Sequence, residues 1–440
     1  MMTIVVMLIL VAVSINMLIK SNLIGTAENT VDKYKTATEE EAKDGTIEIN
    51  GEKYSSVDEY IKKRLPEGAG KRADKTKEYS DGTKTAWIPE GFTVSGIESE
   101  TTIDGGLVIY DIPAGTKVNW SDPDSVKTAY NQFVWIPVEV NKTTEPVDTE
   151  TSISAFTRSQ WQDNARGADS SKSSTIFPSS SWKSYTEPYS FSGSYSGNKD
   201  CDASTGIKTQ IANLTASIYK YGGFYIGRYE AGSETERTSS SEKTTLGIKQ
   251  DMYPYNFVKW GDSNTEIGET GAVYLSNNLY NKGAYGAISM LCTGACWDSM
   301  LDFIKDSDHN VTDSTTWGNY IDAEIPEINR GVYADYNSNN NTVSKFKSEI
   351  SKISKTNKQS ILLTTGATEK NVAKNIYDVA GNCYEWTTEC SGESRVYRGR
   401  RLRNLWKFPS SKLPCCTRFS VYRKLHFLPP YTLCSTVKNA

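Results

Sequence analysis

Residues 1–19 read MMTIVVMLILVAVSINMLI, an uncharged apolar run that Lys20 ends. As a helix these nineteen residues span about 28 Å, close to the roughly 30 Å hydrocarbon core of a bilayer. A helix buried in a protein core normally carries a polar stripe, whereas only Thr3, Ser14 and Asn16 are polar here. A secretory signal would show a basic n-region and a small-residue cleavage site, and neither is clear. The run predicts a transmembrane helix over 1–20, so whatever follows must fold as a domain tethered to a cell membrane, with a single pass and the ectodomain outside. Residues 21–45 place Lys33 and Lys35 ahead of Glu39 to Glu41 at helical offsets, which predicts a polar helical stalk.

An apolar N-terminal helix flowing into an amphipathic one resembles the N-terminus of type IV prepilins and pseudopilins. Beyond it, residues 46–84 predict a hairpin turning at Asn50-Gly51, then a short helix with a capping box from Ser56 to Glu59, then a linker from Pro66 to Lys84. From residue 85 the texture changes to short apolar runs broken by Gly and Pro. AWIPEGFTV, GGLVIYDI, NQFVWIPVEV and GGFYIGRYEA all read as strands. TQIANLTASIYKYGG puts Ile211, Leu214 and Ile218 on one helical face and stops at Gly222-Gly223; CWDSMLDFIKDS does the same with Trp297, Met300, Leu301 and Ile304. Residues 141–208 are rich in Ser, Thr and Tyr without helical period, which predicts an irregular surface insertion. The physical reading is an α+β ectodomain over 85–399 on a membrane stalk.

Composition narrows the chemistry. A net charge of −4 gives no global basic field, so no nucleic-acid partner is expected. The two histidines, His309 and His426, are too far apart for a His-ligated zinc site or a metalloprotease helix. Eight cysteines at spacings such as C-x3-C and C-x6-C match no zinc ribbon and no C-x-x-C redox pair. Tyr and Trp outnumber Phe by 26 and 10 to 12, which suits either a ligand-contacting surface or a β-rich extracellular domain. Trp135, Trp260, Trp297 and Trp386 lie in apolar runs and are expected in the core, whereas Tyr185, Tyr189 and Tyr195 are expected on the surface.

At 375–387 the chain reads NIYDVAGNCYEWT. This resembles the N-x-Y-D-x-x-G-N-x-x-E-W-T signature of the formylglycine-generating enzyme family, the sulfatase-modifying factors. FYIGRYEA at 224–231, the Trp297-Asp298 helix and RVYRG at 395–399 follow the family order. The resemblance covers about 85–400 and implies an irregular C-type-lectin-like fold. It also implies a candidate calcium site at Asp378, Gly381, Cys383 and Glu385, with Gly381 and Cys383 acting through backbone oxygen. Two carboxylates on a glycine-containing turn suit an ion that takes six to eight oxygens; the alternative is that Glu385 bonds backbone amides and Trp386 packs in the core. Arg228, Glu230 and Arg398 are expected to form a buried ion-pair network.

The same scaffold serves two purposes. Oxidase members of the family use a C-x4-C pair to bind copper and activate a substrate cysteine; this chain contains no C-x4-C, so no copper is expected. Other members, among them variable proteins diversified by retroelements, display a ligand surface. The expected function is therefore a non-catalytic, surface-anchored binding or adhesion protein with an extracellular protein or glycan ligand. The alternative is a formylglycine-generating oxidase.

Residues 400–440 hold nine Lys and Arg and no Asp, Glu or Gly, unlike the glycine-containing family pattern. Trp406-Lys407 forces TGG followed by A, so a frame shifted by one nucleotide reads GGA there, glycine. With allowed codons that frame spells Gly-Ser-Ser-Pro-Ala-Ala-Ser-Tyr-Arg over Trp406 to Pro414. A shifted frame near Gly399 predicts that the final strand of the domain is lost; diversification or a distinct basic tail is the rival.

Overall fold

The computed structural model describes residues 47–49, 52–55, 59, 63, 65–120, 122–138, 207–237, 242, 244–261, 271–280, 285–305, 307–309, 317–319, 328, 332–337, 342–347, 361–391, 394–398, 415–423 and 435–439. The expected transmembrane helix and stalk, the tyrosines of the insertion and His426 lie outside these residues. Among the described residues no helix is long and apolar enough to cross a membrane. The architecture mixes α and β, with mostly antiparallel strands and few helices.

The described residues open with β1 (Ile47–Ile49) and β2 (Glu52–Tyr54), paired so that Ile49 faces Glu52 across the Asn50-Gly51 step. Beyond it both the amide and the hydroxyl of Ser55 donate to the Glu59 carboxylate at 2.6 Å, and Ser56, the expected cap, lies outside the described residues. A second hairpin joins β3 (Lys77–Ser80) to β4 (Thr85–Ile88). Its turn is fastened by the Asp81 carboxylate, which accepts from the Thr83 and Lys84 amides at 2.8 Å. The expected linker over 66–84 is thus corrected: Ala73 and Tyr79 sit in the main core. Its charged residues are the solvent side of a hairpin, which a composition reading takes for a linker.

Among the described residues the main sheet holds nine strands. β5 (Thr93–Val94), β6 (Val108–Tyr110), β7 (Gln132–Pro137) and β8 (Gly223–Glu230) follow one another antiparallel. Between β6 and β7 stands α1 (Pro123–Ala129), capped by the Asp122 carboxylate on the Ser125 amide. Before β8 runs α2 (Ile207–Tyr221), which packs its Leu214 and Ile218 into the core and ends at Gly222, where φ is +74°. Residues 207–208, expected in the surface insertion, belong to this helix. Gly223 then passes so close to Trp135 that any Cβ would overlap the indole, which accounts for the paired glycines.

All eight positions of β8 are buried, so the strand is covered on both faces. After it, β9 (Gly232–Ser233) pairs with β10 (Leu246–Gly247) and β11 (Tyr253–Pro254) in a small sheet. α3 (Ala272–Asn277) leads to β12 (Ala287–Leu291), and Thr293 caps α4 (Gly294–Ile304). α4 buries Trp297, Met300 and Ile304, as its spacing predicts. β13 (Tyr333–Asn337), β14 (Thr342–Val343) and β15 (Ile361–Leu363) form a third sheet. Trp135, Trp260, Trp297 and Trp386 are all in the core.

β16 (Tyr384–Ser391) and β17 (Ser394–Arg398) form the far edge of the main sheet. Between them and β8 lie β18 (Cys415–Arg423) and β19 (Ser435–Asn439). The expectation that the tail leaves the sheet without its last strand is therefore corrected. β18 pairs with β8, β12, β16 and β19, and Arg418 stands opposite Glu230 in register. The run CCTRFSVYR has the β-branched and aromatic content of a strand, which its net charge conceals.

Candidate functional site

Residues 375–383 of the signature form a loop that meets β8 at Arg228, Tyr229 and Glu230. Four of them have a left-handed backbone, Asn375 (φ 62°), Asp378 (57°), Gly381 (85°) and Asn382 (58°), as does Lys374 (46°) just before them. Apart from Lys374 these are the residue types that tolerate this region at least cost. Much of the N-x-Y-D-x-x-G-N spelling is therefore a backbone requirement. Gly381 bridges to Asn319, and a Cβ there would overlap the Asn319 backbone.

Each polar side chain of the loop bonds inward. Asn375 donates to the carbonyls of Ser99 and Gly106 at 3.0 and 2.8 Å and accepts from Arg228 Nη2 at 3.3 Å. The Asp378 carboxylate accepts from the Gly366 amide at 2.8 Å. Asn382 Oδ1 accepts from the Leu363 amide and Asn319 Nδ2, and its Nδ2 donates to the Leu363 carbonyl and the Glu230 carboxylate. Tyr377 donates its amide to the Arg228 carbonyl at 2.8 Å and its hydroxyl to Glu369 at 2.8 Å.

Under the loop lies a buried charge cluster. Arg228 Nη1 is 2.7 Å from Glu100 Oε1, with both side chains 1% exposed, and Lys127 Nζ approaches the same oxygen at 3.5 Å. Tyr110 and Ser95 donate their hydroxyls to Glu100 at 2.7 Å. Burial alone would raise the Glu100 carboxyl, but the charges of Arg228 and Lys127 and the two hydroxyls outweigh it and hold it below the usual carboxylate range. The guanidinium of Arg228 also lies 5.6 and 5.5 Å from the ring centres of Tyr229 and Tyr377. The expected network of Arg228, Glu230 and Arg398 is corrected: Arg228 pairs with Glu100, Glu230 accepts from Asn382, and Arg398 stands opposite Glu385 on β17. Glu100 carries no sequence signal, since SGIESETT reads as a polar turn; only the three-dimensional contact identifies it.

Of the four candidate calcium positions, Asp378 and Gly381 lie in the loop and Cys383 and Glu385 where it enters β16. Cys383 packs with Ala334 and Leu362, and Glu385 is fully buried beside Arg398 and Cys416 in register. Among the described residues no group of three or more His, Cys, Asp or Glu is placed to hold a metal ion. Of the two carboxylates, that of Asp378 is engaged by the Gly366 amide, and with the Gly381 and Cys383 carbonyls they offer up to the six oxygens at which calcium coordination begins. Cys292, Cys296 and Cys383 are buried.

Comparison of the chain with family models, with curated proteins and with solved structures finds no match in any of the three.

Proposed function

We propose that the chain is a membrane-anchored surface protein that binds an extracellular protein or glycan without chemical turnover, on a C-type-lectin-like scaffold of the formylglycine-generating-enzyme kind. The observation that carries this reading is the commitment of the signature loop's polar groups. Asn375, Tyr377, Asp378 and Asn382 bond to β8, to its charge cluster and to neighbouring backbone, and hold the loop in place. Groups spent in this way are scaffold, and a rigid scaffold is what a binding surface requires. The oxidase alternative requires a reactive thiol pair, and the described thiols are buried within the core.

The test uses the full chain in detergent micelles. It is incubated with copper and a cysteine peptide of the sulfatase type, and in parallel probed on glycan and protein arrays. Retention on an array without aldehyde formation is the expected result. Aldehyde on the peptide overturns the proposal.

A further inference from the structure

Residues 254–258 form a turn that leaves the small sheet at β11 and is pinned at both ends. Tyr255 donates its amide to the Ala231 carbonyl at 2.8 Å, and the Val258 carbonyl accepts from Trp386 Nε1 at 3.2 Å. Between these pins lie two unfavourable residues. Asn256 is fully buried, and among the described residues neither its Oδ1 nor its Nδ2 has a hydrogen-bond partner. Buried amides are nearly always paired, because the water they leave must be replaced. Phe257 is half-buried at φ +54°, the one aromatic among the described residues with a left-handed backbone. Two contacts hold the pair in this state. The Asn256 amide donates to the Pro254 carbonyl at 2.7 Å, and the Asn256 carbonyl accepts from Arg237 Nε at 2.9 Å. Arg237 is itself fixed by the Glu242 carbonyl and by the Tyr255 ring, whose centre lies 4.2 Å from the guanidinium.

We propose that Asn256 and Phe257 form a two-residue flap that turns the Asn256 carboxamide outward to bind a neutral saccharide, with the Phe257 ring against the sugar. The inference rests on the reading above and narrows its ligand to a glycan. Rotation of the peptide group between the two residues relieves both costs together: the carboxamide reaches solvent and Phe257 returns to a common backbone region. Adjacent penalties of this kind narrow the gap between the buried and outward states. A ligand that binds only the outward state then shifts the population towards it. A carboxamide presents a donor and an acceptor side by side, the complement of two neighbouring ring hydroxyls. An aromatic face beside it covers the C–H face of the same sugar ring. From Met252 to Val258 the chain carries no charged side chain, so a neutral sugar fits this turn better than a phosphorylated or sulfated one.

The experiment probes the full chain in detergent micelles on glycan and protein arrays, beside the variants Asn256→Leu and Phe257→Gly. Leu keeps the branch at Cγ and needs no partner, so Asn256→Leu should melt at or above the wild type. Gly accepts the left-handed backbone freely and removes the ring. Each variant should bind the glycan that retains the wild type about tenfold or more weakly. An Asn256→Leu variant that melts below the wild type shows that the amide is bonded in the native state, and overturns the flap. Equal glycan binding by the wild type and Phe257→Gly also overturns it, as does retention of the wild type on protein arrays alone; both results leave the reading above standing. Retention on neither array overturns the two together. If Asn256→Leu does not fold, the comparison of the wild type with Phe257→Gly decides.

Discussion

Arg228 and Glu100 stand 128 residues apart in the chain and 2.7 Å apart in the fold, each withdrawn from water. Their contact ties the strand β8 to the turn after β5, and Asn375 extends it into the signature loop. A buried pair of this kind matters more for what happens when it is broken than for its net gain.

Glu100→Gln or Arg228→Met should each destabilise the protein by about 3–5 kcal/mol, because each leaves an uncompensated buried charge. The double variant Glu100→Gln, Arg228→Met should lose less than the sum of the two, and a denaturation cycle measures the difference. The pH dependence follows from the lowered Glu100 carboxyl. Its contribution is fully present above the unfolded value near 4.5 and is lost as pH falls through the folded-state value. Stability of the Glu100→Gln variant should therefore fall less steeply with acid than that of the wild type. Parallel curves would count against the ion pair.

The loop's backbone and side-chain roles can be separated at Asn375. Asn375→Gly keeps access to the left-handed conformation and loses the hydrogen bonds, whereas Asn375→Ala loses both. Each lost bond to a buried partner costs about 1–3 kcal/mol, and the Ala variant should melt below the Gly variant. Gly381→Ala should be worse than either, since its Cβ meets the Asn319 backbone at a φ of +85°. Equal melting temperatures for the two Asn375 variants would show that conformation is not a constraint there.

These residues mark what a sequence reading can reach. The strands around Ile109, Val134 and Ile226 and the helices through Leu214 and Met300 announce themselves by period and by flanking glycines, because burial on one face leaves a repeat in the chain. The N-x-Y-D-x-x-G-N spelling is legible in the chain, and Asn375, Asp378 and Gly381 have a left-handed backbone in the fold. The partners that explain the motif were not legible. Glu100, Asn319 and the Asn382–Glu230 bond join segments far apart in sequence, and no local pattern encodes such a pairing. Tyr79 and β18 were hidden for a different reason: charged neighbours dominate a composition window even when alternate side chains face the core.

A loop fastened by its own side chains should not depend on calcium. The melting temperature of the full chain is expected to be the same with chelator as with millimolar calcium. A ligand bound only by the native state would raise it by mass action. A calcium-dependent rise that disappears in an Asp378→Asn, Glu385→Gln double variant would restore the metal site.

Membrane attachment is tested by deleting residues 1–20. The full chain should sediment with membranes and the truncated chain should remain in the supernatant, because no other stretch of the sequence reaches 18 apolar residues. A truncated chain that still partitions with membranes would remove the anchor from residues 1–20.

The sharpest test lies at the C-terminal segment, where the composition of 400–440 predicts an aberrant basic tail and the fold places a central strand. β18 is paired along its length with β8, β12, β16 and β19. Removing residues 400–440 would open the β8 edge, strip its backbone groups of their partners and expose a strand built for burial on both faces. The truncated chain should aggregate or lose its cooperative melting transition. A milder variant, Val421→Pro, removes the amide of a residue paired with both Tyr225 and Ser289 and should lower the melting temperature sharply. If truncation leaves the transition unchanged, residues 415–423 are not part of the sheet in solution. The shifted frame that spells a glycine-containing run after Gly399 would then be the sequence this fold was built to carry, and restoring it should raise the melting temperature.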